Sequence, residues 1–133
     1  MSPDGQRQSR LPHRTILVVD DDPGVRRVAT RILVAQTYQV LEAEDGARAV
    51  EILAEKPEQV DLVLTDVVMP VMNGRELADA IAQRWPHVQL LFMSGYAGDE
   101  IVGRGLLDPG TPFLRKPFTP ALLAIAIRSV LAA

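Results

Sequence analysis

The 133-residue chain is predicted to fold as an α/β domain, a parallel sheet with helices on both faces. Three observations carry this. Short apolar runs, too short for helices, alternate along the chain with stretches whose apolar residues recur at helical spacing. Two of the runs, Ile16-Leu17-Val18-Val19, with three β-branched residues of four, and Leu62-Val63-Leu64, read as strands buried on both faces. Both run into carboxylates, Asp20-Asp21-Asp22 after the first and, through Thr65, Asp66 after the second. In an open α/β sheet ligands bind beyond the carboxyl ends of the strands, so these acids stand where such a fold does its chemistry.

The elements follow in order. Strand one is Thr15 to Asp20. Asp22 then suits a helix N-cap and Pro23 the first helical position, ahead of a stripe of Val25, Val28, Ala29, Ile32 and Leu33. Tyr38 to Ala43 reads as strand two. Asp45-Gly46 opens the second helix, with Val50, Leu53 and Ala54 inward and Lys56-Pro57 closing it. Strand three is Asp61 to Thr65, ending at Asp66. Pro70, Asn73 and Gly74 make a turn before a third helix that buries Leu77, Ala78 and Ile81 and ends at Trp85-Pro86. Trp85 is read as packing and His87 as a loop residue. Strand four is Gln89 to Met93, followed by Ser94-Gly95. Glycine weakens a helix by about 1 kcal/mol against alanine. The segment from Ala97 to Gly110, with Gly98, Gly103, Gly105 and Gly110, is therefore granted only a short helix near Asp99 to Leu107. Strand five is Pro112 to Arg115. Thr119-Pro120 caps the last helix, which turns Leu123, Ile127, Val130 and Leu131 to one side.

Five strand–helix repeats joined by right-handed crossovers give a flavodoxin-like doubly wound (βα)5 fold, with strand order 2-1-3-4-5. The ends of strands one and three are then neighbours at the switch point. Residues 1–13 are polar, hold Pro3, Gly5 and Pro12, and read as a flexible N-terminal tail; 14–133 form one domain. The chain has no cysteine and a formal net charge of −3, so disulfides and thiolate chemistry are excluded and nothing in the charge points to nucleic acid. No apolar run approaches the roughly 18 residues of a membrane span. A cytoplasmic location and a monomer or weak dimer are expected.

Strand one brings Asp20 and Asp21 to the shared rim, strand three Asp66, strand four Ser94, and the run after strand five Lys116. Packed carboxylates repel one another, and hard oxygen donors with few others suit Mg²⁺. The amine can pair with a carboxylate or with an anion bound beside the cation, and the hydroxyl can donate to that anion. In outline this is a phosphoryl site, whose chemistry is mostly positioning and charge neutralisation. Asp22 precedes Pro23 and is assigned to the cap rather than to the metal.

The phrases ILVVDDDP, DLVLTDVVMPVMNG, LLFMSGYA and FLRKPF, in this order and at strand ends, resemble the receiver domain of two-component response regulators. MSGYA, LLDPG and KPFTP further resemble receivers at the C-termini of hybrid histidine kinases. The resemblance runs from Thr15 onward and makes 14–133 a receiver domain. It implies that Asp66 accepts a phosphoryl group from a phosphohistidine of a histidine kinase or phosphotransfer protein. It implies Asp21, Asp66 and the backbone carbonyl of Val68 as Mg²⁺ ligands, with Asp20 helping through water. Lys116 matches the lysine that pairs with the acid or a phosphoryl oxygen, Ser94 the switch hydroxyl and Phe113 the switch aromatic. Lys116-Pro117 falls where the family often has a cis peptide. The implied role is a phosphoacceptor signalling domain rather than an enzyme, beyond its own phosphorylation and self-dephosphorylation.

Three positions depart from the family pattern. Val68 is apolar and cannot orient an attacking water, so slow self-dephosphorylation is expected, with Tyr96 partly shielding the site. A Val68→Asn variant that lost phosphate no faster would contradict this. The glycine-rich segment before strand five leaves the fourth helix short and its output face altered. Phe113 keeps the ring but lacks the hydroxyl of the more usual tyrosine. Two rival readings remain. A haloacid-dehalogenase-like phosphatase would use Asp20 and Asp22, but it needs further acids after the lysine, and 117–133 contains no Asp or Glu. A phosphorylation-independent interaction module would not need the full set Asp20, Asp21, Asp66, Ser94 and Lys116. No DNA-binding module follows the last helix, so direct contact with nucleic acid is not expected.

Overall fold

The computed structural model describes residues 14–132; the tail read at 1–13 lies outside them. The elements are β1 (Thr15–Val19), α1 (Pro23–Ala35), β2 (Gln39–Ala43), α2 (Gly46–Glu55), β3 (Leu62–Asp66), α3 (Gly74–Arg84), β4 (Gln89–Ser94), α4 (Gly98–Gly103), β5 (Phe113–Arg115) and α5 (Pro120–Ala132). β1 and β3, the two runs of branched apolar residues, are buried along their whole lengths. They occupy the middle of a five-stranded, wholly parallel sheet of order β2-β1-β3-β4-β5, the predicted flavodoxin-like arrangement. The less apolar β2 and the short β5 take the edges.

The period-2 alternation of the strands divides the core in two. Ile16, Val18, Leu62, Leu64, Leu91 and Met93 meet α1 and α5 through Ala29, Leu33, Leu123 and Ile127. On the other face Leu17, Val19 and Val63 meet α2 and α3 through Ala49, Ile52, Leu53, Leu77 and Ile81. Trp85 belongs to this second cluster, 6% exposed, with the Arg84 guanidinium 4.3 Å above its ring. His87 lies in an exposed loop, as read from sequence, its Nε2 2.6 Å from the carbonyl of Pro57. No helix among the described residues is long and apolar enough to cross a membrane.

Helix starts follow the predicted caps. The Asp22 side chain accepts from the amides of Gly24 and Val25 ahead of Pro23, and Asp45 accepts from the Arg48 amide. α3 begins with a capping box, Asn73 and Glu76 each accepting from the other's backbone amide, where the sequence predicts only a turn. Such caps contribute about 1 kcal/mol each.

Some inward assignments shift. Val28 is 51% exposed and Ala54 is exposed, while Ala49 and Ile52 do the packing in α2. Each residue turns a helix by about 100°, so Val28 and Ala54, each one position from a buried residue, rotate off the stripe. The fourth helix is shorter than Asp99–Leu107. It ends at Gly103, lacks a side-chain cap at Ala97, and is followed by Gly105 at φ 70° and Gly110 at φ 85°. Only Ile101 and Leu107 of this corner are buried, against Val67 and Phe92.

Candidate functional site

Asp20 follows β1 directly and has no exposed surface. All four of its polar groups are engaged. Its amide donates to the Ala43 carbonyl at 3.2 Å and its carbonyl accepts from Arg26 Nη1 at 2.7 Å. Oδ1 accepts from the Asp22 amide at 2.9 Å, and Oδ2 lies 3.1 Å from Lys116 Nζ. Asp66 ends β3, 8% exposed; its Oδ2 is 3.2 Å from the same ammonium and its Oδ1 accepts from the Val68 amide at 3.4 Å. Asp21 is exposed, and oxygens of Asp20, Asp21 and Asp66 come within 4.8 Å of one another. Asp22 stays on its cap. The predicted acids and lysine therefore do converge, brought together by the β1–β3 pairing and by a Lys116 amide that donates to the Ser94 carbonyl at 2.8 Å.

The groups perturb one another. Burial pushes the Asp66 carboxyl above its ordinary value; Lys116 pulls it back down, and the neighbouring Asp20 charge adds to the rise. For Lys116 burial acts downward, but the two carboxylates outweigh it and hold the ammonium above its usual value. Three carboxylates face one ammonium, which leaves negative charge uncompensated among hard oxygen donors. That donor set fits a divalent cation of the Mg²⁺ type.

Ser94 ends β4, fully buried, its Oγ accepting from the Tyr96 amide at 3.0 Å. The Tyr96 ring is turned to the α4 side, packed on the Val67–Phe92–Ile101–Leu107 cluster beneath the Arg104 guanidinium at 4.6 Å. Phe113 is half-buried on the same cluster and approaches Gly98. Val68 is 41% exposed beside Asp66. Lys116-Pro117 is cis, as the motif implied.

Two residues of the site escaped the sequence reading. Arg26, one of a pair of arginines on a helix, carries no periodic signal, and its partner Glu42 is sixteen positions away at 3.0 Å. Gly74 looked like an ordinary turn glycine. A Cβ there would sit 2.5 Å from the Asp66 carbonyl oxygen, so α3 approaches the acid-bearing strand through glycine.

Fold and site together define a class: a flavodoxin-like α/β domain whose switch point carries an acid cluster bridged by one lysine. The chain belongs to the response regulator receiver domain family, which its residues 16–128 match, and is thus a receiver domain of two-component signalling. It is 38% identical over 117 residues to the sensor kinase CckA of Brucella abortus, covering 88% of this chain and 12% of that protein. With the response regulator receiver protein CpdR of the same organism it shares 34% over 105 residues, 79% of this chain and 86% of that one. The crystal structure of the receiver domain from the hybrid histidine kinase CckA superposes with a TM-score of 0.69 at 34% identity, covering 88% of this chain and 98% of that chain. The chain spans between 11% and 43% of the length of the first curated relatives it matches.

Proposed function

We propose that Asp66 takes a phosphoryl group from a phosphohistidine, on a histidine kinase or a phosphotransfer protein, and that Ser94, Lys116 and Phe113 convert the modification into a change of shape. The observation that carries this is the Lys116 ammonium held between two buried carboxylates, at 3.1 Å from Asp20 and 3.2 Å from Asp66. An Asp66 oxygen attacks phosphorus, the nitrogen–phosphorus bond breaks, and the imidazole leaves with the bonding pair and takes up a proton. A raised carboxyl pKa makes Asp66 the more basic nucleophile. Asp21, Asp66 and the Val68 backbone carbonyl would hold Mg²⁺, with Asp20 acting through water; bound there, the ion offsets phosphoryl charge.

The acyl phosphate adds about −1.5 to −2 charge and three strong acceptors at the end of β3. Lys116 is already in place to pair with one of them. The Ser94 hydroxyl can donate to another while its lone pairs still accept from Tyr96. Hydrogen bonds to charged groups contribute about 1.5–3 kcal/mol each, and moving a population from 1:99 to 99:1 takes about 5.5 kcal/mol. Two such bonds supply most of a switch, and Phe113 at the edge of the same corner follows Ser94. The donors work from the cytoplasm, where this reading puts the chain, and the domain acts as a phosphoacceptor rather than as an enzyme with turnover.

Incubation with Mg²⁺ and acetyl phosphate, followed by intact-mass measurement, tests the assignment. One phosphoryl adduct is expected, absent from Asp66→Ala. An adduct of equal yield in Asp66→Ala overturns it, and sustained hydrolysis of a chromogenic phosphate ester replaces it with the phosphatase reading.

A further inference from the structure

We infer that Arg26 is a positioning residue for the metal-binding acids, a clamp that fixes the backbone from which Asp21 projects. The inference rests on the reading of Asp20, Asp21 and Asp66 as the Mg²⁺ site. Arg26 stands on the first turn of α1, its side chain 18% exposed, and its guanidinium spans two elements. Nη1 donates to the Asp20 carbonyl at 2.7 Å; Nε pairs with Glu42 near the end of edge strand β2 at 3.0 Å. A planar fork with donors in fixed directions makes both contacts at once, which an ammonium cannot.

The contact lies on the peptide that joins Asp20 to Asp21. Asp20 is held at its amide by Ala43, at its carboxylate by the Asp22 amide and Lys116, and at its carbonyl by Arg26. Three of those bonds fix the residue itself. The fourth fixes the plane of the following peptide, and with it the direction in which the Asp21 side chain leaves the backbone. Asp21 has no hydrogen bond or ion pair of its own among the described residues, so its approach to Asp20 and Asp66 is inherited from that peptide. Outer contacts of this kind orient metal ligands, and their loss commonly weakens metal affinity by about 10- to 100-fold. Glu42, 39% exposed, acts one step further out by aiming the guanidinium.

The experiment is a calorimetric Mg²⁺ titration of the full chain, paired with thermal unfolding in metal-free buffer. Wild type, Arg26→Met, Arg26→Lys, Glu42→Gln and Asp21→Asn are compared. Arg26→Met, which keeps an apolar stem of similar length, is expected to weaken Mg²⁺ about tenfold or more. Arg26→Lys should recover part of the loss, because one amine can reach the carbonyl but not Glu42 as well. Glu42→Gln should weaken binding by a few-fold and serves if Arg26→Met does not fold. A role in stability alone would lower the unfolding midpoint and leave Mg²⁺ affinity unchanged in all three, which overturns the inference. Failure of the underlying metal assignment reads differently: wild type would bind no Mg²⁺, or Asp21→Asn would bind it as tightly as wild type.

Discussion

The rim that joins β1 to β3 and the corner formed by β4, α4 and β5 are built to opposite specifications. At the rim every polar group of Asp20 has a partner, Gly74 leaves no space against the Asp66 carbonyl, and capped helices enter on both sides. At the corner a six-residue helix has no side-chain cap, and substituents at Gly103, Gly105 or Gly110 would meet nothing within 4 Å. The Arg75–Asp108 pair that ties α3 to this corner is exposed at both ends and adds little. The contrast has a mechanical logic. A site that positions a reactive carboxylate needs one arrangement, and a reporter needs at least two of similar free energy. Ser94 joins the two, its carbonyl accepting from the Lys116 amide of the rim and its neighbour Tyr96 packed on α4.

Removing the shared residue gives the largest expected effect. Ser94→Ala should accept phosphate as wild type does but lose one hydrogen bond to a charged group. That bond contributes about 1.5–3 kcal/mol, so the ratio of shifted to unshifted molecules falls by roughly 10- to 100-fold. Amide chemical shifts of α4 and β5, recorded before and after phosphorylation, measure it; equal shifts in both proteins would refute the link.

Gly74→Ala probes the tightness of the rim. Its Cβ meets backbone rather than a movable side chain, so overpacking should cost about 1–3 kcal/mol in urea unfolding. A neutral result would mean that the rim yields more readily than its contacts imply.

Asp66→Asn tests the electrostatics of the same place. Because the folded carboxyl pKa is raised above 3.8, chiefly by burial, the contribution of Asp66 to stability is complete below that pH. It is lost as pH rises through the folded value. In metal-free buffer the asparagine variant should therefore unfold at a higher temperature than wild type near neutrality, with the gap closing toward pH 3. A divalent cation should narrow the gap by stabilising wild type alone.

The smallest effect is expected in the loose corner. Gly103→Ala at the end of α4 meets open space and no positive φ, so it should stabilise by about 0.5–1 kcal/mol. Destabilisation there would erase the contrast between the two regions.

The same contrast governs what could be read from the residues alone. The rim was legible because strand alternation, an Asp-Pro cap and a topological rule all act locally or through the order of elements. Asp20, Asp66, Ser94 and Lys116 follow from where strands stop. Arg26 was not legible, because its function depends on a partner sixteen residues away and on a backbone carbonyl, neither of which leaves a pattern. Val28 and Ala54 were lost to the width of the buried stripe, since a polar neighbour cannot tell an inward alanine from one at the margin.

Trp85 turns the length of α3 into a spectroscopic convenience. The helix begins beside Asp66 and runs back along the sheet, so the chain's single indole closes it at the opposite end, buried against α2. Its emission should track global melting and stay silent as acetyl phosphate or Mg²⁺ is added. Each titration thus carries an internal record of whether the fold is intact, and a probe for the corner has to be introduced there deliberately.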